Sequence, residues 1–240
     1  MTLTARDVAQ LIDISAVQAP HGAAEIRGLV ENAKKHHFIA VHVLPCWVGF
    51  LKGLLAGSPD ILIGAPVGFP GGAHRTEIKA AEAKLLVQDG VSEMDMMLNV
   101  GKLRSGEYDY CLEDIRAVVR AAGGVPVKVI LEVHYLDGDQ LKRACELCIK
   151  AGAAFVKTAT GWAPSGATLE VIEQITRFVG KAIKVKAAGN IRSLETLVTM
   201  YRMGVSRFGI NLNSSLDIVN AVAALPGGVV DVGDVRVVEA

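Results

Sequence analysis

Short apolar runs alternate with amphipathic runs along the whole chain. LIDIS (11–15), FIAVHV (38–43), ILIGAP (61–66), SEMDMML (92–98), VPVKVILEV (125–133), AFVKT (154–158), IKVKA (183–187) and SRFGI (206–210) read as β-strands. A helix-period stretch follows each, at 22–35, 46–57, 74–89, 107–122, 138–151, 168–180, 193–203 and 213–224. The strands are almost continuously apolar, as parallel strands covered on both faces must be. Eight strand–helix units in 240 residues predict an α/β fold, a single (β/α)8 TIM barrel over 1–240 with a short N-terminal helix at 4–10. A doubly wound open sheet is the second choice. It would want a glycine-rich loop after an early strand, and LIDISAVQAPHG supplies none.

Polar residues that interrupt such strands carry the chemical information. In a barrel the C-terminal strand ends face the active-site mouth. Asp13, His42, Asp95, Lys157 and Lys186 all fall in or near these ends. A lone strand lysine can simply snorkel its ammonium to water. Lys157 and Lys186, however, lie on consecutive strands, which run about 5 Å apart. Crowded cations depress each other's pKa, and burial depresses it further. A neutral lysine amine can attack a carbonyl and form a Schiff base, an electron sink for breaking the neighbouring carbon–carbon bond. Asp95 is the candidate proton shuttle. Lys184 alternates to the same side as Lys186, but Lys186 lies nearer the strand end and is preferred. Glu132, in VILEVHY, is read as a further strand carboxylate that lines the barrel or pairs with a lysine.

KTATG (157–161), KAAGN (186–190) and RFGIN (207–211) place glycines after the last three strands. Glycine lets backbone N–H groups approach a ligand, and the loops after strands seven and eight bind phosphate in many barrels. An anionic substrate is expected there.

Charge and composition narrow the partners. Lys plus Arg and Asp plus Glu both number 25, so no cation surplus points to nucleic acid or an anionic membrane. No apolar stretch reaches the roughly 18 residues of a membrane span. MTLTARDVAQLIDIS is not a basic head followed by an apolar block, and a cytoplasmic location is expected. Cys46, Cys111, Cys145 and Cys148 are expected to be reduced. Cys145 and Cys148 have metal-like spacing, but they sit in a helical pattern with no second ligand pair, and core-facing thiols are the reading. His36 and His37 precede the second strand, and His134 follows the fifth without an obvious partner. With no His/carboxylate cluster visible at strand ends, no metal is expected.

AVHVLPCWV, PVGFPGGAHRTEIKAAEAK, SEMDMMLNVGKLRSGEYDYCLEDIRAVV, FVKTATGWAPSGAT and VKAAGNIRS together resemble the deoxyribose-phosphate aldolase family. The resemblance covers nearly the whole chain. It implies a (β/α)8 barrel that cleaves 2-deoxyribose 5-phosphate reversibly to acetaldehyde and glyceraldehyde 3-phosphate without a cofactor. It implies Lys157 as the Schiff-base lysine, Lys186 as the lysine that lowers its pKa, and Asp95 as the proton relay. Asp13 matches an aspartate beside the second lysine, and Thr160 and Gly161 lie in the family's substrate-binding turn. Gly189, Asn190, Gly209 and Asn211 fall in the phosphate-gripping loops.

Three departures bear on specificity. His42 stands where the family commonly has cysteine, and it is read as a pocket wall or as an added proton carrier. Gly189-Asn190 replaces paired glycines. Ile210-Asn211-Leu212 replaces a small residue and two serines. Asn211 can still donate from its amide, Leu212 cannot, and Ser214 and Ser215 would reach in only after a loop shift. Trp162 is expected to add bulk beside the same cup. The readings left open are an aldolase acting on deoxyribose 5-phosphate, one acting on a different carbonyl substrate, with or without a phosphate, and a barrel that binds sugar phosphate without turnover. Barrels of this type often associate, so a homo-oligomer is also open.

Overall fold

In the computed structural model, which describes residues 1–233, a short strand β1 (Thr2–Thr4) and helix α1 (Ala5–Ala9) lead into eight parallel strands that close on themselves. These are β2 (Ile12–Ala16), β3 (Ala40–Val43), β4 (Leu62–Val67), β5 (Glu93–Met97), β6 (Val127–Ile130), β7 (Phe155–Lys157), β8 (Lys184–Ala188) and β9 (Arg207–Ile210). They pair in chain order, and β2 closes onto β9. Helices α2 (Ala23–His36), α3 (Val48–Leu54), α4 (Thr76–Asp89), α5 (Val100–Arg104), α6 (Tyr108–Ala121), α7 (Gly138–Ala151), α8 (Leu169–Val179), α9 (Leu194–Arg202) and α10 (Leu212–Ala223) fill the connections. A last strand, β10 (Val229–Asp231), pairs antiparallel with β1. No helix among the described residues is long and apolar enough to cross a membrane.

Local chemistry explains why the boundaries were readable. Helix α7 begins at an Asp137/Gln140 capping box and ends at Gly152 in the left-handed region, so it occupies the span its pattern predicts. Thr168 and Ser193 cap α8 and α9 through their hydroxyls. Strand β6 is shorter than its apolar run, because Glu132 takes φ 52° and turns the chain out of the sheet. The β1–β10 pair and α5 were not foreseen; three-residue strands and a five-residue helix leave almost no periodic signal.

The strands alternate between two environments. Ile12, Ile14, Val41, Met94, Met96, Val129, Val156 and Phe208 are buried in the apolar layer beneath the helices. Intervening residues meet inside the barrel, and there the lining is charged. Lys79 of α4 and Asp114 of α6, both fully buried, form a 2.6 Å ion pair, and Lys79 also donates to the Met97 carbonyl at 2.9 Å. That tie fixes the end of β5 just beyond Asp95. Cys111, Cys145 and Cys148 are buried free thiols, and burial pushes Cys145 up to about 12, the inert core role its helix pattern predicts.

Candidate active site

Three acids and three bases form a closed ring across the barrel interior. Lys186 contacts Asp95 at 2.7 Å, and Asp95 contacts Lys128 at 3.3 Å. Lys128 meets Glu93 at 2.6 Å, and Glu93 meets Arg207 at 3.4 Å. Arg207 reaches Asp13 at 2.5 Å, and Asp13 returns to Lys186 at 2.6 Å. Strand register makes this alternation: Lys128 lies opposite Asp95, and Lys186 opposite Arg207. The charges balance, which is how a buried cluster offsets its desolvation cost.

Lys157 is the odd cation. It sits across from Lys186 in the β7–β8 register and donates to Asp95 Oδ2 at 2.8 Å, the same oxygen that Lys186 reaches. Burial lowers its pKa to about 8; Asp95 opposes that fall and Lys186 adds to it. Burial is thus the largest cause, ahead of the second lysine, which corrects the sequence-based account. The expected reciprocal depression also fails at Lys186. Burial works against its charge, yet Asp13, Asp95 and Glu93 outweigh burial and hold it above the usual lysine range. Burial alone would raise Asp95, but Lys157, Lys186 and Lys128 carry it well below the ordinary carboxylate value. At neutral pH the site holds a carboxylate, a fixed ammonium and an amine that readily loses its proton. Gly209 opens the space this needs: a Cβ there would lie 3.3 Å from Lys186 Cε.

His42 reaches all three acids. Its Nε2 lies 2.8 Å from Glu93 and 3.4 Å from Asp13, and its Nδ1 lies 3.7 Å from Asp95. The ring occupies the place of a missing side chain, since a Cβ on Gly64 would sit 2.2 Å from it. Asp13, His42 and Glu93 could together hold a metal ion, which overturns the expectation that no His/carboxylate cluster forms. Their carboxylates are already engaged by Lys128, Lys186 and Arg207, so a dication would meet three resident positive charges.

Above this floor opens a cavity of about 230 Å³. Its walls include Lys157, Lys186, Asp95, Asp13 and His42, and also Thr160, Gly161, Gly189, Asn190, Gly209 and Asn211, so every expected site residue comes together. Gly161 and Gly189 have φ 83° and 85°, and Asn190 has φ 64°. Asparagine tolerates that region better than other non-glycine residues, so the replaced glycine keeps its turn. The loops after β7 and β8 touch backbone to backbone: a Cβ on Gly166 would lie 2.6 Å from Gly189 Cα. Thr158 knots them, donating to Ala188 O at 2.7 Å and accepting from Ala188 N at 2.8 Å.

Several assignments change. Glu132 is not in a strand; it accepts from the Thr160 backbone N–H at 3.2 Å and from its hydroxyl. Asn211 spends its side chain capping α10, accepting from Ser214 N at 3.0 Å and donating to Ser214 Oγ at 3.2 Å. Ser215 donates to the Asn211 carbonyl at 2.8 Å, so both serines serve the helix end. Trp162 keeps its expected place, adding bulk beside the cup through Val17 and Phe69, which line it. It donates from Nε1 to Val17 O at 3.1 Å, packs edge-on against Phe69, and lines an adjoining cavity with Met97 and Tyr135. His134 has a partner after all, Ser165 Oγ at 2.6 Å. Lys184, for all its shared parity with Lys186, lies exposed at the far end of β8.

Sequence reading missed Glu93, Lys128 and Arg207, and at the rim Ser165 and Arg192. Glu93 and Lys128 were visible in principle, since each is spaced two residues from another inward position on its strand. Arg192 lies two residues beyond the KAAGN loop and is an exposed cation at the rim of the cup.

Known proteins bear on this geometry. A family model described as DeoC/LacD family aldolase matches residues 7–211, which takes in all eight barrel strands. The deoxyribose-phosphate aldolase of Rhizobium meliloti is 48% identical over 231 residues, covering 96% of this chain and 93% of that protein. The deoxyribose-phosphate aldolase of Klebsiella pneumoniae is 48% identical over 213 residues, covering 88% and 86%. Among solved structures, QR15, an aldolase, superposes with a TM-score of 0.84 at 35% identity, covering 90% of this chain and 95% of that one. A buried lysine pair on one aspartate, in a barrel that the family model spans from first strand to last, places the chain in the DeoC/LacD aldolase family.

Proposed function

We propose that the protein is a carbon–carbon lyase that cleaves 2-deoxy-D-ribose 5-phosphate reversibly to acetaldehyde and D-glyceraldehyde 3-phosphate. The observation that carries this reading is Lys157, a lysine at the cavity floor with its pKa lowered to about 8. Its neutral amine adds to the C1 aldehyde, and loss of water leaves an iminium. The iminium's positive charge falls where Asp95 already faces the Lys157 nitrogen at 2.8 Å. Removal of the C3 hydroxyl proton then breaks the C2–C3 bond, and that electron pair passes to the iminium as an enamine. Protonation of the enamine at C2 and hydrolysis release acetaldehyde and free Lys157. Asp95, ionised, is the proton acceptor of the pair, and Lys186, held as an ammonium, is the donor.

The phosphate end is assigned to Gly161, Gly189, Asn190 and Arg192, beside the start of α10. The unphosphorylated alternative draws support from the engaged Asn211 side chain and from Leu212. Comparing kcat/KM on deoxyribose with and without its phosphate decides between them. A preference of at least about 100-fold for the phosphate, the scale of two or more charge-assisted contacts, supports this reading, and equal rates refute it.

A further inference from the structure

Asp95 Oδ2 accepts from Lys157 and Lys186 at once, at 2.8 and 2.7 Å. A carboxylate oxygen offers about two lone-pair sites. The carboxylate must therefore keep one orientation to serve both amines, and nothing on its own strand supplies that constraint. The groups around it are known: Lys157, Lys186 and Lys128 face Asp95, while Arg207 faces Asp13 and Glu93. His42, 96% buried, is among the described residues the one ionisable group that approaches Asp13, Glu93 and Asp95 together.

Building on the aldolase reading above, we propose that His42 is a positioning residue for the reaction, tying the three barrel carboxylates together so that Asp95 stays beneath Lys157. The ring's Nε2 edge lies within hydrogen-bond reach of Glu93 at 2.8 Å, and its Nδ1 edge packs against Asp95 at 3.7 Å. The imidazole adds bulk and one directed contact at the centre of the three acids. Gly64 is its counterpart on β4. The missing Cβ, which would lie 2.2 and 2.3 Å from the ring's Cε1 and Nε2, is what admits an imidazole at this depth. Without His42, the wall opposite Gly64 empties, Glu93 keeps only Lys128 and Arg207, and Asp95 is free to turn further toward Lys128. Lys157 then loses the group that holds its proton.

The test is the pH dependence of borohydride trapping with acetaldehyde, alongside kcat and KM on deoxyribose 5-phosphate. In His42→Cys the trapping midpoint moves to lower pH by at least about half a unit, and kcat falls about tenfold with KM within about twofold. His42→Gln, whose amide can reach Glu93, returns the midpoint toward that of the unaltered protein. Gly64→Ala keeps His42 but displaces its ring, and it produces the same acid shift, which keeps the test open if the cysteine variant does not fold. An unmoved midpoint in His42→Cys and Gly64→Ala, or a raised KM with unchanged kcat, overturns the proposal and leaves His42 a wall against substrate. Absence of any adduct on Lys157 in the unaltered protein overturns the aldolase reading and this inference with it.

Discussion

Lys157 and Lys186 donate to one oxygen of Asp95, yet the first is pushed down to about 8 and the second is pushed up. The difference lies in the second partner. Lys186 also holds Asp13 at 2.6 Å, while Lys157 has Asp95 alone. A cation between two carboxylates keeps its proton; one that shares a carboxylate with a stronger claimant gives its proton up. In the proposed reaction the first is the nucleophile and the second the acid.

Replacing Lys157 with leucine should abolish turnover, by at least about 1,000-fold in kcat, because the other lysine at the cavity, Lys186, is held as an ammonium by Asp13 and Asp95. Folding should survive. Asp95 keeps Lys186 and Lys128, and leucine suits a side chain only 11% exposed. Thermal melting checks this; a melting point near that of the unaltered protein is the expected result.

The trapping rate should rise through pH 8, as the Lys157 amine loses its proton. Stability should respond at both ends of the pH scale. Between about 8 and the ordinary lysine value of 10.5, the unfolded chain holds a proton here that the folded chain does not, so stability rises with pH across that window. Asp13 and Asp95 are depressed, so their contribution is present above the ordinary 3.8 and is lost as pH falls through their lower folded values. Urea midpoints measured from pH 2 to 9 should show a steep acid limb and a shallow rise above pH 8; beyond pH 9 the raised thiols Cys111, Cys145 and Cys148 oppose that rise.

Gly166→Ala should damage binding more than chemistry. The new Cβ would meet the Gly189 backbone at 2.6 Å, and backbone cannot swing aside as a side chain can. KM for the phosphorylated sugar should rise about tenfold or more, while acetaldehyde still traps on Lys157.

Arg192→Ala should separate the two ends of the substrate. Loss of one cation at the cup should weaken deoxyribose 5-phosphate about tenfold, the scale of a charge-assisted hydrogen bond. Rates on unphosphorylated deoxyribose should stay unchanged.

The barrel was legible in the sequence because each of its eight strands is a dense apolar run followed by a helix of opposite period. Lys157 stood out because it breaks such a run near its end. The rest of the charged floor did not stand out, and the reason is geometric. Lys128 looks like a surface lysine until β6 is known to pair with β5, and Arg207 opens its strand as an exposed residue would. Which partner neutralises which depends on register and depth around a closed sheet, and neither is written in one strand. His42 was noticed, but its reach to three carboxylates rests on the absent side chain of Gly64, one strand away.

The most direct test of the central claim is reduction with borohydride in the presence of acetaldehyde, followed by intact mass and peptide mapping. The account predicts one added ethyl group, on Lys157, forming faster as pH rises through 8. No added mass, or an adduct on Lys186 or Lys128 with Lys157 unmodified, would contradict it.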